Sequence, residues 1–156
     1  MSQIKGSIKA PCDGEAIELE NVCDEVFSSG VMGEGFAVLP NGKNIFSPVD
    51  GKIDNAYKTG HAYSIITDDG LDVLVHIGID TVELNGEFFE KRVSIGERVK
   101  AGDIIAYADT DKIMERGFDP VVIVAVANSD KMHGIEARFG KCYTKDEIMT
   151  YFLKEE

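Results

Sequence analysis

Short apolar runs, interrupted by polar residues and by glycine, follow one another along most of the chain. Alternating or β-branched runs of this length with glycine at their ends are typical of β-strands. The predicted strands cover residues 15–20, 35–39, 51–57, 62–67, 71–77, 103–107 and 121–127. The pattern therefore predicts an all-β protein of antiparallel strands joined by tight turns.

Two segments have a helical pattern instead. One is a short helical turn around residues 24–27. The other lies near the end of the chain, where Thr144 and Glu147 have capping-box spacing ahead of an apolar stretch at residues 148–152. Because this arrangement begins many helices, we expect a C-terminal helix in addition to the strands.

One turn motif occurs twice. Residues 11–14 read Pro-Cys-Asp-Gly and residues 48–51 read Pro-Val-Asp-Gly, and each copy leads into a predicted strand. The repeat is either a coincidence between two common turns or a duplicated β unit. We expect the duplication, in an antiparallel β-sandwich or barrel. No linker or low-complexity stretch divides the chain, so residues 1–156 are expected to form a single domain.

His76 lies in a predicted strand with a clear apolar face. Alternate residues of a strand share a face, so the odd-numbered residues from Leu71 to Ile77 form a core face. Asp72, Leu74 and His76 then point the other way. This parity places His76 where an exposed site can form.

His61 begins the preceding predicted strand. The Asp-Gly pair at residues 69–70 favours a two-residue hairpin loop, which places Tyr63 opposite His76. In that register His61 lies diagonally beside His76 on the same face, within about 7–8 Å between backbones. A register shifted by one residue would put the two histidines on opposite faces.

Two histidines on one face permit three kinds of chemistry. Histidine forms covalent intermediates as a nucleophile, acts as an acid or base near neutral pH, or binds zinc with a further protein ligand. Either residue can also be an ordinary structural histidine. His133 has no comparable partner and is expected at the surface.

Charge and cysteine content exclude several classes of protein. The formal net charge of −12 disfavours nucleic acid and anionic membranes as partners and favours a basic protein partner. The sequence has an odd number of cysteines, without CxxC spacing: Cys12, Cys23 and Cys142. This pattern indicates reduced thiols rather than disulfides or a structural zinc site. The first residues lack an apolar signal core, and the longest apolar run, 121–127, is too short to span a bilayer. We expect a cytoplasmic protein without direct membrane insertion.

Residues 76–86, His-Ile-Gly-Ile-Asp-Thr-Val-Glu-Leu-Asn-Gly, closely resemble the active-site segment of a known family. The family is the glucose-type enzyme IIA of the bacterial phosphoenolpyruvate:sugar phosphotransferase system. Residues 59–62, Thr-Gly-His-Ala, resemble its segment with the second histidine, and residues 47–53 and 98–103 match further segments. The resemblance covers residues 10–123.

The resemblance implies a β-sandwich with a shallow, exposed active site and a phosphocarrier function. His76 would be phosphorylated by the histidine phosphocarrier protein and would pass the group to a cysteine of a sugar-specific enzyme IIB. His61 would hydrogen-bond the phosphoryl group, Thr59 would orient His61, and Asp80 would meet a basic residue of the donor. Neither a cofactor nor a metal is implied.

Five apolar residues map to the interaction rim of that family. They are Phe27, Val31, Met32, Leu74 and Val82. Each can instead be an ordinary core residue, except Leu74, which strand parity places on the His76 face.

Some features depart from the family, and other functions stay open. Phe88 stands where the family commonly has a second glycine, and the pattern cannot be followed beyond residue 123. A zinc-dependent, peptidase-like hydrolase is the main alternative, although its His-x-His pair is absent from the sequence. A biotin- or lipoate-carrying domain would need an exposed lysine, for which Lys112 is a faint candidate. A purely regulatory binding protein would not need both histidines.

Overall fold

The computed structural model describes residues 5–22, 24–29 and 32–154, and strands dominate them. The strands are β1 (Lys5–Lys9), β2 (Gly14–Glu18), β3 (Glu34–Pro40), β4 (Asn44–Phe46), β5 (Gly51–Ala56), β6 (Ala62–Thr67), β7 (Asp72–Ile77), β8 (Phe89–Lys91), β9 (Arg98–Val99), β10 (Ile104–Ala108), β11 (Val122–Val126), β12 (Met132–Ala137), β13 (Gly140–Cys142) and β14 (Glu147–Leu153). The helices are α1 (Glu25–Ser28) and α2 (Thr110–Glu115), with 3-10 turns at Leu19–Asn21, Thr81–Leu84 and Ser129–Lys131. None of the helices in these ranges is long and apolar enough to cross a membrane.

The strands form three antiparallel sheets around a large common core. The largest sheet has the order β13-β2-β3-β11-β7-β6-β5-β9, and the smaller sheets have the orders β1-β14-β12 and β4-β10-β8. All three contribute to the main core, for example Val75 from the large sheet, Ile8 from β1 and Ile105 from β10. The predicted antiparallel β-sandwich is confirmed.

A second, smaller apolar cluster covers the other face of the large sheet. Its buried members are Leu19, Val22, Phe27, Ala37, Ile79, Val121, Ile123 and Ala125, and Leu74 packs against them. The odd-numbered residues from Leu71 to Ile77 lie in the main core instead, as strand parity predicts. The side chains of β7 that point away from the main core therefore meet a small cluster rather than open solvent, and this cluster lies beside His76.

The predicted internal duplication is present in the backbone. β2 and β5 each start at the glycine of a Pro-x-Asp-Gly turn. In the first copy, Asp13 Oδ1 accepts a hydrogen bond from the backbone N–H of Thr144 at 2.7 Å. In the second copy, Asp50 Oδ1 accepts one from Ala101 at 2.7 Å. The same turn thus makes the same bond to a distant segment in both halves.

The predicted C-terminal helix is wrong, because residues 147–153 form β14 between β1 and β12. Both the N–H and the hydroxyl of Thr144 donate to Asp13, so this threonine does not cap a helix. Lys145 adopts a left-handed φ of 77°, as Gly102 does at 93° in the equivalent turn of the other half. A left-handed residue stops a right-handed helix at its first turn. The duplicated turn therefore overrides the capping-box pattern.

Candidate functional site

His76 lies near the centre of the large sheet. In β7 it pairs with Ala62 of β6 on one side and with Ile123 of β11 on the other. Its side chain is half-buried, and its ring centroid lies 5.1 Å from that of Phe27 in α1. The ring of His76 is therefore supported by a central strand and a neighbouring aromatic side chain.

His61 lies beside His76, with ring centroids 5.2 Å apart and planes at 84°. It precedes β6 in a bend that follows Gly60, whose φ is +76°, and only 4% of it is exposed. This bend turns the chain and lets His61 approach the ring of His76 edge-on. The predicted facing pair is present.

The predicted register of the β6–β7 hairpin is wrong by one residue. Ala62, not Tyr63, pairs with His76, because the loop comprises three residues, 68–70, and is closed by the bond from Thr67 N to Leu71 O at 2.9 Å. Strand parity alone would put His61 on the opposite face in this register. His61 reaches His76 because it lies in the bend outside the regular strand.

Thr59 is hydrogen-bonded to His61. Its hydroxyl oxygen lies 2.5 Å from His61 Nδ1. If the hydroxyl donates to Nδ1, the ring proton must be on Nε2, since a neutral imidazole has one donor and one acceptor nitrogen. Nε2 is then able to donate a hydrogen bond to a bound group.

Both histidines favour the neutral form. Burial, followed by the charge of His76, lowers the pKa of His61 to about 4. Burial also lowers the pKa of His76, against opposing effects from the backbone of Gly78 and from the carboxylates of Asp24 and Asp80. At neutral pH the site therefore holds two uncharged imidazoles, and a neutral imidazole has the lone pair that a nucleophile needs.

Two acidic residues flank His76. Asp80 is exposed in the turn after β7, at a left-handed φ of 58°. Asp24 precedes α1 and is half-buried. The sequence analysis identified Asp80 but missed Asp24. Asp24 could have been found from its position at the start of the helical turn predicted at 24–27. The two carboxylates make the surroundings of His76 negative, which favours a basic partner.

Comparison with known proteins identifies the family. Residues 6–132 match the model of the phosphoenolpyruvate-dependent sugar phosphotransferase system, EIIA 1. The chain belongs to this family. It is a phosphocarrier of the sugar phosphotransferase system, whose EIIA components are phosphotransferase proteins carrying a phosphohistidine.

Individual relatives of this EIIA chain agree with the family model. It is 36% identical over 140 residues to the glucose-specific EIIA component of Borreliella burgdorferi, covering 90% of the chain and 74% of the relative. It is 44% identical over 124 residues to the glucose-specific EIICBA component of Streptococcus pneumoniae, covering 80% of the chain but only 17% of that longer protein. The solved glucose permease IIA from Mycoplasma capricolum matches with a TM-score of 0.85 and 32% identity, over 94% of the chain and 96% of that structure.

The structure describes four of the five residues that were predicted as the apolar rim, and they differ in exposure. Phe27 contacts His76 but is only 7% exposed. Leu74 is half-buried on the His76 face of β7. Met32 and Val82 are exposed by 36% and 53%, and Val31 lies outside the described residues. Phe27 and Leu74 are thus near His76, and only Met32 and Val82 among the four described residues are exposed.

Two aromatic residues beside His61 were missed from the sequence. The rings of Tyr57 and Phe89 lie 5.6 and 6.4 Å from that of His61, both edge-on. Tyr57 is 43% exposed. It lies one residue beyond β5 and two before Thr59, so a search outward from the Thr-Gly-His segment would have found it.

Phe88, which replaces a glycine common in the family, keeps a glycine-like backbone. Its φ is 77°, a region that large side chains rarely adopt. The guanidinium of Arg116 lies 5.3 Å from its ring and also bonds to Glu87 at 2.8 Å. Contact with Arg116 and with the main core offsets the strain of this conformation.

The remaining candidate residues lie apart from the histidine pair. His133 is half-buried, with its ring 5.8 Å from that of Phe152. Cys12 and Cys142 are buried free thiols, and Cys23 lies outside the described residues. Within the ranges 5–22, 24–29 and 32–154, no three His, Cys, Asp or Glu side chains are grouped to hold a metal ion. The zinc hydrolase alternative has no support from the relatives.

The low pKa of His61 predicts a specific dependence of stability on pH. Below about pH 6.5 the unfolded chain binds a proton at this position that the folded chain binds only near pH 4, so the free energy of unfolding falls as pH falls. We expect a loss of about 2 kcal/mol between pH 7 and pH 5. Urea unfolding at the two pH values measures it. His61→Gln should remove most of the loss, and an equal loss in that variant would contradict the prediction.

Proposed function

We propose that His76 is the residue that accepts the phosphoryl group. The single observation that carries this proposal is the edge-on His61–His76 pair, with ring centroids 5.2 Å apart. One ring lies on a central strand beside acidic and apolar side chains, and the other is fixed by Thr59. One histidine can thus act as nucleophile while its neighbour binds the transferred group.

We further infer that Nε2 of His76 is the attacking atom. Nδ1 is buried and makes no hydrogen bond of ordinary geometry to any described residue, and the backbone of Gly78 is close enough to favour a proton on the ring. A phosphoryl donor cannot reach a buried nitrogen. The other nitrogen is therefore the one available for attack, and a proton held on Nδ1 would leave its lone pair free.

In the transfer step, the lone pair of Nε2 forms the new N–P bond. The electron pair of the donor's N–P bond returns to the donor imidazole as that bond breaks. The transition state is loose and needs mainly positioning and charge stabilisation. The ring of His76 becomes positive as the bond forms, and the backbone of Gly78 and the carboxylates of Asp24 and Asp80 favour that charge.

His61 has the complementary role of holding the phosphoryl group. With Thr59 donating to Nδ1, the Nε2–H of His61 donates to a phosphoryl oxygen. A phosphoryl group on His76 adds negative charge beside His61, which strengthens this charge-assisted bond. The reaction requires neither a cofactor nor a metal.

The donor we propose is the histidine phosphocarrier protein, and the acceptor is a cysteine of a sugar-specific enzyme IIB. The net charge of −12, with Asp24 and Asp80 at the site, suits a basic donor surface. The relative from Streptococcus pneumoniae is an EIICBA component, in which EIIA is joined to EIIB and EIIC. The exposed Met32, Val82 and Tyr57 suit brief docking through small interfaces.

We also propose that residues 1–156 act as one cytoplasmic EIIA domain. The pairing of β1 with β14, which joins the two ends of the described chain, supports one folding unit. Relatives named for glucose and for β-glucoside are 36% and 39% identical to this chain over the residues that align. Because similar EIIA sequences occur in proteins named for different sugars, the membrane partner rather than EIIA would select the sugar.

The decisive test is phosphorylation of the purified protein. We would incubate it with phosphoenolpyruvate, enzyme I and the histidine phosphocarrier protein and measure the intact mass. We expect a gain of one acid-labile phosphoryl group, lost again when a matching enzyme IIB is added. A mass that stays unchanged while the donors phosphorylate another EIIA would overturn the proposal.

A further inference from the structure

The turn after His76 is held from outside by a second loop. This turn, residues 77–81, leaves β7 with left-handed backbone at Gly78 and Asp80. The N–H of Gly78 donates to Val121 O at 2.7 Å, and the N–H of Ile79 donates to Asp119 O at 3.0 Å. Both acceptors belong to the segment before β11, so the position of that segment sets the position of the turn.

Asp119 shapes the segment that provides these acceptors. Its Oδ1 accepts a hydrogen bond from the N–H of Val121 at 3.0 Å, which closes a local Asx turn. The residue between them is Pro120, which has a restricted φ and no N–H. The side chain of Asp119 thus fixes the relation between the two carbonyl oxygens that hold Gly78 and Ile79.

The contact between the two loops leaves little free space. A Cβ added at Gly78 would lie 3.0 Å from Asp119 O and 2.4 Å from Thr81 Cγ2. Thr81 is completely buried, and its hydroxyl donates to Ile77 O at 2.5 Å. The turn is therefore held from one side by Thr81 and from the other by Asp119, and a shift of either side would move Gly78.

We propose that Asp119 is a positioning residue for phosphoryl transfer: its Asx turn holds Gly78 and Asp80 in place beside the ring of His76. This inference rests on the proposed role of His76. Asp119 contacts neither the ring nor the transferred group in this arrangement and acts through the backbone of residues 78–80. Without the side chain, residue 119 keeps its backbone carbonyl oxygen. The Asx turn that directs this oxygen toward the N–H of Ile79 is lost.

The test compares three replacements of Asp119. Asp119→Asn keeps an acceptor oxygen at the same place, Asp119→Ser keeps a shorter acceptor that still forms such turns, and Asp119→Ala removes it. Asp103→Ala is the control, because Asp103 Oδ2 also accepts a hydrogen bond from a nearby backbone N–H, that of Lys100 at 2.8 Å, in a turn that does not bond to residues 77–81. All five proteins, including the wild type, are measured in the full chain.

The first readout is the pKa of His76, titrated by NMR without any phosphorylation. The groups that act on His76 are Asp24 and Asp80, together with the backbone of Gly78, and the neighbouring His61. Since Gly78 and Asp80 raise this pKa, their displacement should lower it in Asp119→Ala.

The second readout is the rate of phosphoryl transfer. We expect kcat to fall about ten- to a hundredfold in Asp119→Ala, since small misplacements at a reacting centre have effects of this size, with KM for the donor unchanged. Asp119→Asn should restore both readouts, and Asp119→Ser should be intermediate. Unchanged pKa and kcat in Asp119→Ala, or equal losses in Asp103→Ala, would overturn the inference. If the wild type is not phosphorylated, the proposed function fails, whereas the titration still decides whether Asp119 positions His76.

Discussion

Replacement of His76 with alanine is expected to abolish phosphorylation of the chain. The substitution removes the only ring nitrogen that we assign to the N–P bond, and the ring of His61 that remains is buried. His61 does not replace it, because its Nδ1 is engaged by Thr59 and its other nitrogen carries the ring proton in that tautomer. Intact mass after incubation with active donors measures the effect.

His133→Ala is the matched control for that variant. It also removes one histidine, but beside Phe152 rather than beside His61, and it should accept the phosphoryl group at the rate of the wild type. The His76→Ala protein should still bind the donor, since Asp24, Asp80, Met32 and Val82 are retained. A phosphoryl group found on His76→Ala would place the acceptor elsewhere, and peptide mapping would then locate it.

The strands nearest the site are those that the sequence predicted best. The predicted strand at 62–67 coincides with β6, that at 71–77 begins one residue before β7, and that at 121–127 exceeds β11 by one residue at each end. These strands are central in the large sheet; all three have apolar residues in the main core, and β7 and β11 also have apolar residues in the smaller cluster on the other face. Burial imposes a strong pattern, which is what sequence reasoning detects.

Peripheral strands gave weaker signals. β1, β4, β8 and β9 are short or lie at sheet edges, and their partners are far away in sequence. β14 was mistaken for a helix because Thr144 and Glu147 satisfy a local rule, whereas the left-handed Lys145 and the bond to Asp13 arise from the duplicated turn. Tertiary pairing overrides local propensity here.

At the site, the histidine pair was correctly predicted for a partly wrong reason. The hairpin register differs by one residue, and the bend at Gly60 brings His61 back to His76. A bend of this kind cannot be inferred from alternation, because its position depends on one left-handed glycine. Asp119 was missed for a similar reason, since its hydrogen bonds reach Ile79 from a loop forty residues further along the chain.

His61→Gln is expected to separate phosphoryl acceptance from phosphoryl donation. Glutamine keeps a neutral N–H donor near the position of Nε2, so uptake should stay within about tenfold of the wild type. It cannot gain a proton, whereas the imidazole donor strengthens as negative charge develops on the departing group. Onward transfer to enzyme IIB should therefore fall by about 10²- to 10³-fold, the usual cost of losing a transition-state donor. Rapid-quench measurement of the two half-reactions gives both rates.

Two further measurements make this prediction specific. The pKa of His61, followed by NMR, should rise from about 4 when His76 carries the phosphoryl group, because the added negative charge favours the imidazolium form. Thr59→Val keeps the shape of the side chain but removes the hydroxyl next to His61 Nδ1, and it should slow onward transfer less than His61→Gln does. Equal losses in the two half-reactions of His61→Gln, together with an unchanged pKa of His61 in the phosphorylated wild type, would mean that His61 supports only the structure of the site. The proposed division of roles between the two histidines would then have to be abandoned.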